Sequence, residues 1–232
     1  MDCPDTTTMH VIARIHTGFP TKFGIPRQSG LVRTWGRIVF EPDYRNPDML
    51  RGIEEYSHLW ILWGFSEVEG KSWHPTVRPP RLGGNQRVGV FATRSPFRPN
   101  AIGLSCVELA GVDLDGQEGP VLHVRGADMM EGTPIYDIKP YLAYVDSVPG
   151  TRGGFADRVK DYSLQVECPE CWREKIPEEE RETLFQILSQ DPRPSYQNDP
   201  GRIYGMEYAG MEVKFRVQGR QLEVGEITKE EG

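Results

Sequence analysis

Residues 57–125 decide the fold. Within them SHLWILWGF (57–65), RVGVFA (87–92), IGLSCVELAGV (102–112) and VLHVR (121–125) are short apolar stretches separated by Gly, Pro and polar residues. Each reads as a strand candidate. Further strands read from HVIARIHT (10–17) and GRIVF (36–40). Strands at short, regular spacing with Gly/Pro turns predict a barrel or sandwich. Between them, Asn46-Pro47-Asp48 offers a cap, a first-turn proline and a first-turn acid. Met49, Leu50, Ile53 and Tyr56 follow at helical spacing, which predicts one short amphipathic helix.

The pattern weakens over residues 147–163, where Pro149, Gly150, Gly153 and Gly154 cluster. A boundary is expected there, giving domains 1–155 and 156–232. In the second, residues 177–190 read as a helix through Leu184, Phe185, Ile187 and Leu188. Strands follow at 203–208, 211–217 and 221–227, with turns at Ala209-Gly210 and Gln218-Gly219. The expected class is mainly β, a barrel followed by a small α+β module.

The composition is globular: 38% hydrophobic and 26% charged residues are too apolar for a disordered chain. The strongest apolar run, Leu59 to Trp63, is far too short to span a bilayer. Four Cys in 232 residues read as reduced thiols of a cytosolic protein. The net charge of −7 is uneven. Residues 1–155 carry 16 Lys+Arg against 17 Asp+Glu, whereas residues 156–232 carry 11 against 17. From Lys71 to Val107 there is no acid, but Lys71, Arg78, Arg81, Arg87, Arg94 and Arg98 fall there. Such a face can hold a phosphate backbone, because screening removes distant charges within about 10 Å. The same arginines could instead pair with acids from elsewhere.

Spacing alone reveals no enzyme. There is no Gly-rich strand-to-helix loop and no P-loop, and the five His show no metal spacing. Cys168 and Cys171 form a lone C-x-x-C, short of the four ligands of structural zinc, so no metal is expected. Three segments look too rigid and too polar for mere connection: 22–31 (KFGIPRQSGL), 78–103 and 128–146. Each mixes Gly and Pro with Arg, Asp, Lys or Gln, the combination that anion and base recognition uses.

The strings PRQSGLV (26–32), EEYSHLWILWGF (54–65), WHPTVRPPRLGGNQRVGVFATRSPFRPNAIGLS (73–105) and GTPIYDIKPYL (132–142) together resemble the TsaA-like (TrmO) family. The likeness covers residues 10–155 and continues through DPRPSYQ (191–197) and YGMEYAGMEVKFRV (204–217). The resemblance implies a single-sheeted β-barrel that binds S-adenosyl-L-methionine, forms a homodimer and methylates threonylcarbamoyladenosine beside the tRNA anticodon. Carried over by motif, Pro26, Arg27, Gln28, Arg94, Leu104, Glu131, Gly132, Thr133 and Pro134 would line the cofactor site. Ser66 and Glu67 occupy a further contacting position, where the family commonly has His and a polar residue. Glu131 would set a carboxylate near the sulfonium or an adenosyl hydroxyl.

Methyl transfer from a sulfonium chiefly needs alignment. Asp137 or a main-chain carbonyl would take the proton, and Arg98 and Lys139 would hold the substrate carboxylate or phosphates. Asp137 and Lys139 could equally form a structural ion pair. Phe97, Tyr136 and Tyr141 are candidates for stacking on a splayed base, or for the core. Arg193, Arg202, Lys214 and Arg216, near Tyr196 and Tyr204, would help grip the anticodon arm. Two other readings remain open at this point: the same fold acting on another substrate, and a non-catalytic RNA-binding adaptor.

Overall fold

In the computed structural model, which describes residues 6–68, 72–79, 86–158, 160–193 and 199–229, the apolar stretches close into one barrel. Its strands are β1 (Ala13–Thr17), β2 (Trp35–Phe40), β3 (His58–Gly64), β6 (Ile102–Asp113), β7 (Val121–Arg125) and β8 (Thr133–Pro140). They run in the order β1-β2-β7-β6-β3-β8, and β8 returns antiparallel to β1. Two short strands, β4 (Thr76–Val77) and β5 (Val88–Gly89), form a separate two-stranded ribbon.

Period-two alternation sets which side chains fill the barrel. Ile15, Ile38, Leu59, Ile61, Val107, Leu122, Val124 and Ile135 point inward and share one core. Trp63 joins them because its cross-strand partner is Gly103. A Cβ on that glycine would lie 2.2 Å from the indole ring, so no larger residue fits. The Trp63 indole N–H donates to Ser105 Oγ at 2.9 Å, which satisfies its one polar group inside the barrel.

The β8 strand was not expected from the sequence. It pairs with both β3 and β1 and thereby closes the barrel. Its register shifts where Leu62 faces Asp137 and Trp63 faces Ile135, leaving Tyr136 as the extra residue. The Tyr136 phenol lies over Gly64, where a Cβ would be 2.3 Å from its oxygen. A bulge of this kind bends a strand, as a narrow barrel requires.

The second sheet has the order β10-β11-β12-β9: β10 (Tyr204–Tyr208), β11 (Met211–Gln218) and β12 (Gln221–Lys229) antiparallel, with β9 (Gln165–Glu167) parallel to β12. Ala209 (φ 50°) and Gly210 (φ 70°) form the tight β10–β11 turn, the left-handed pair that a two-residue hairpin favours. Helix α3 (Glu178–Ser189) covers the sheet with Thr183, Leu184, Ile187 and Leu188. Its first-turn Glu178, Glu179 and Glu180 suit the positive end of the helix dipole. Two one-turn helices, α1 (Ala143–Asp146) and α2 (Glu170–Arg173), precede α3. Among the described residues no helix is long and apolar enough to cross a membrane.

Two expectations are corrected. The helix over Pro47–Tyr56 is instead two 3-10 turns, Pro47–Leu50 and Ile53–Glu55, interrupted by Gly52 at φ 85°. The Asn46 cap itself is present, its side chain accepting from Asp48 N–H. Of the strand at 87–92, only Val88–Gly89 pairs, and Val90–Ala92 winds into a 3-10 turn.

Candidate active site

A seventeen-residue connection, residues 18–34, joins β1 to β2 and carries Pro26, Arg27 and Gln28. Its apolar side chains leave the barrel. Phe19 and Val32 are fully buried in the core of the second sheet, and Phe23 and Ile25 pack against it. Gly24, at φ 97°, lies so close to Met206 that a Cβ would be 2.8 Å from its terminal methyl. Pro26 is buried, and Arg27 Nη2 donates to the Asp191 carbonyl at 2.7 Å. A cleft of 270 Å³ opens between Lys22–Arg27 and the end of α3 at Ile187–Arg193.

Beyond Arg27 the connection returns to the barrel. Ser29 Oγ accepts from Cys106 N–H at 3.1 Å, and Gly30 N–H donates to the Gly126 carbonyl at 2.9 Å. It thus covers the part of β6 that β7 does not reach, since β7 pairs only from Glu108 onward. Gln28 meets Arg94 here, its amide oxygen accepting from Arg94 Nη1. The loop that presents Arg94 is fixed by its own side chains. Thr93 Oγ1 donates to the Val90 carbonyl at 2.8 Å, and Ser95 and Phe97 N–H groups donate to the Thr93 and Ser95 hydroxyls.

Asp128, whose role the sequence did not show, lies beside this pair. Its Oδ1 accepts from Ser105 Oγ at 2.5 Å, and Ser105 in turn accepts from Trp63. Burial pushes the Asp128 carboxyl above its ordinary value. The Ser105 hydroxyl, backbone N–H groups of Asp128 and Ser29, and the Arg94 charge pull the other way. A signal existed: an acid at a strand exit between Ala127 and Met129, both buried, has to find partners.

The segment continues into Glu131-Gly132-Thr133-Pro134. Glu131 Oε1 is 2.6 Å from His16 Nδ1, and its Oε2 accepts Thr17 N–H at 2.7 Å. Arg14 donates to the Gly132 carbonyl, and buried Thr133 donates to the Met130 carbonyl. Thr133 and Pro134 pair with Ile15 and Arg14 across β1. These four residues are therefore docked on β1, with the Glu131 carboxylate held from two sides.

Leu104, 53% exposed, stands on the outer wall of the barrel. Its partner across β3 is Leu62, whose partner on β8 is Asp137. In the next row Cys106 faces Trp60, which faces Lys139. The wall thus places an expected cofactor residue, Leu104, two strands from the expected substrate residues. Asp137 Oδ2 is 2.8 Å from Lys139 Nζ, an exposed ion pair along β8 rather than across a turn. Tyr141 closes the row, its ring 5.8 Å from Trp60 and 6.1 Å from His58. Burial, and then the Asp146 charge, push the Cys106 thiol up, so it is a poor nucleophile.

The other expected residues have surroundings of their own. Ser66 and Glu67 form an exposed 3-10 turn after β3. Arg98 folds back on its own loop, with Nη1 3.4 Å from the Thr93 carbonyl. Phe97 is exposed, whereas Tyr136 packs over Gly64. In the second module Arg193 is 8% exposed and its guanidinium grips the Asp191 carboxylate through Nε at 2.8 Å and Nη2 at 3.0 Å. It is therefore not a surface cation. Lys214 pairs with Glu226 at 2.8 Å, Arg202 lies over the Tyr204 ring, and Arg216 is exposed. Lys71, Arg81 and Tyr196 lie outside the described residues. Among the described residues no three His, Cys, Asp or Glu side chains converge as a metal would need.

Comparison with known proteins gives this geometry a context. The family profile of the tRNA-methyltransferase O N-terminal domain matches residues 14–147, and that of the TrmO C-terminal domain matches residues 161–230. The tRNA (adenine(37)-N6)-methyltransferase of Escherichia coli K12 is 40% identical over 222 residues, covering 92% of this chain and 94% of its own. The Pseudomonas aeruginosa protein RcsF, whose name describes an S-adenosylmethionine-dependent methyltransferase, is 39% identical over 219 residues, covering 90% and 92%. A crystal structure of TrmO superposes with a TM-score of 0.78 at 33% identity, covering 96% of this chain and 99% of that one.

Proposed function

The chain belongs to the tRNA-methyltransferase O family of S-adenosylmethionine-dependent tRNA methyltransferases, and from that premise we propose that it methylates N6 of threonylcarbamoyladenosine at tRNA nucleotide 37. The observation that carries this reading is the meeting of Gln28, Arg94 and Asp128 at the head of an outer wall bearing Leu104, Asp137 and Lys139. A guanidinium, an amide and a largely desolvated carboxylate beside an apolar side chain fit a ligand that joins an amino-acid end and a cationic sulfur to a nucleoside. Pro26, Arg27, Gln28, Arg94 and Leu104 hold the cofactor, with Glu131 to Pro134 and Ser66-Glu67 at its margins.

When bound, S-adenosylmethionine supplies a methyl group on a sulfonium whose carbon–sulfur electron pair leaves with sulfur as N6 forms the new bond. The protein's part is to align and to manage one proton. Lys139 and Asp137 neutralise each other in the free protein. The carboxylate of the threonyl group takes over Lys139, which releases Asp137 to accept the N6 proton at Oδ2. Arg98 swings from its weak contact with Thr93 to a phosphate of the anticodon loop, and Tyr141 stacks on a splayed base. Exposed Phe91 (79%) and Phe97 in the same loop support contact with RNA or with a second copy. The enzyme works as a cytoplasmic homodimer, with residues 1–155 carrying the catalytic groups and 156–232 forming a smaller module packed against the 18–34 connection.

The test is methyl transfer from labelled S-adenosylmethionine to two tRNA preparations, with and without the threonylcarbamoyl group. Label in the modified tRNA alone supports the reading. Equal label in both rejects the substrate, and transfer to neither despite cofactor binding directs the search to another acceptor.

A further inference from the structure

The connection that carries Pro26-Arg27-Gln28 has no regular structure of its own, and loops this long need something to fix them. Two sets of anchors do so. On one side, Ser29 and Gly30 bond to Cys106 and Gly126 of the barrel. On the other, apart from the Phe19 carbonyl accepting Glu131 N–H at 2.9 Å, the side chains pack on the second module. The Phe19 ring lies tilted against Tyr208, their centroids 5.0 Å apart, and the Gly18 carbonyl accepts Ala209 N–H at 2.9 Å. Phe23 and Ile25 rest on the module's core, and Gly24 passes over Met206. Arg27 and Gln28 stand between the two sets.

Asp191 fastens the second set. It follows α3 with a left-handed backbone at φ 55°, a conformation that a non-glycine residue adopts at a cost and keeps only when its surroundings over-determine it. Here they do. Arg193 binds both carboxylate oxygens, and Tyr162 donates its hydroxyl to Oδ2 at 3.0 Å. The backbone so fixed turns its carbonyl to Arg27 Nη2 at 2.7 Å. One residue therefore ties Arg193 through its side chain and Arg27 through its main chain. Both guanidinium groups keep an Nη1 that is buried without a partner among the described residues. A fold tolerates such donors mainly where position matters more than stability.

We infer that the second module is a built part of the methyl-donor site, and that Asp191 is a positioning residue that sets Arg27 for the cofactor. The inference rests on the reading that residues 26–28 contact S-adenosylmethionine, and it changes what the module is for. Its acidity, with 11 Lys+Arg against 17 Asp+Glu in residues 156–232, suits a clamp on a loop better than a grip on RNA.

The experiment uses the full-length chain. Asp191→Asn keeps the size and tolerates the left-handed backbone, and Asp191→Gly keeps the backbone but removes the whole carboxylate clamp. Cofactor dissociation constants are measured by calorimetry without tRNA, and tRNA KM at saturating cofactor. Both variants are expected to bind S-adenosylmethionine about tenfold more weakly, the effect of loosening one charge-assisted contact, with tRNA KM within about twofold. In an Arg27→Ala background the Asp191→Asn change is then silent on cofactor binding. Unchanged cofactor binding with a raised tRNA KM would overturn the inference and make the module an RNA grip. Additive losses with Arg27→Ala would overturn it too. If the unaltered protein bound no S-adenosylmethionine, the methyl-donor reading itself would fall, a result separate from either.

Discussion

Asp128 holds a carboxylate where water has little access, and its hydrogen bonds only partly offset that burial. Its pKa lies above the ordinary carboxylate value. A raised acid favours the folded state while protonated and loses that contribution as pH rises through the raised value. The Asp128→Asn protein is therefore predicted to gain stability relative to the unaltered one as pH rises above the ordinary aspartate value of about 4, measured as the difference in thermal midpoints. The opposite trend would mean that Arg94 and the backbone donors outweigh burial. The same substitution is predicted to weaken cofactor binding, because it removes the charge facing Arg94. Gln28 and Arg94 were legible because the whole strings around them are distinctive. Asp128 and Ser105 were not, since their significance lies in the contact between a strand end and a neighbouring strand, 23 residues apart. Arg193 misled for the same reason: an arginine in a Pro-rich turn reads as a surface cation until Asp191 is seen to face it.

Among the strands, β4, β8 and β9 were concealed, β4 and β9 because two or three residues carry no period, and β8 for a reason of its own. Pro134 sits inside it, and a proline lowers any strand reading. The extra residue at Tyr136 then breaks the alternation that would have exposed the rest. The strands β1, β2, β3, β6 and β7 were legible from their apolar content and the Gly/Pro turns between them. The segment after Asn46 had helical spacing but spans too few residues, with Gly52 in the middle, to propagate an α-helix. The pairing of Trp63 with Gly103 predicts that Gly103→Ala lowers stability by about 1–3 kcal/mol, the usual cost of overpacking, read by denaturant unfolding. A neutral result would show that the indole moves freely. Lys139→Ala, by contrast, removes an exposed ion pair and is predicted to cost less than about 1 kcal/mol. Its effect should fall on tRNA KM, and an unchanged KM would leave the pair a purely structural one.

Among the described residues the apolar side chains form two cores, and the connection between the first two strands belongs to the second of them. That crossing of the expected boundary was invisible in the sequence. Phe19, Phe23, Ile25 and Val32 are apolar in either environment, and only the fold shows which core receives them. Phe19→Ala is predicted to cost about 3–5 kcal/mol and to weaken cofactor binding along with stability, measured by calorimetry on the folded fraction. Loss of stability with intact cofactor affinity would separate the two cores functionally. The barrel, its missing nucleotide-binding loop and its rigid polar connections all follow from one arrangement: the site is assembled outside a filled barrel, from segments that different parts of the chain hold in place.

The most direct measurement is nucleoside mass spectrometry of tRNA incubated with the protein and S-adenosylmethionine. The account predicts that threonylcarbamoyladenosine at nucleotide 37 becomes one methyl group heavier, with the methyl on N6 and every other nucleoside unchanged. A methyl group on a different nucleoside, or on adenosine lacking the threonylcarbamoyl group, would contradict it.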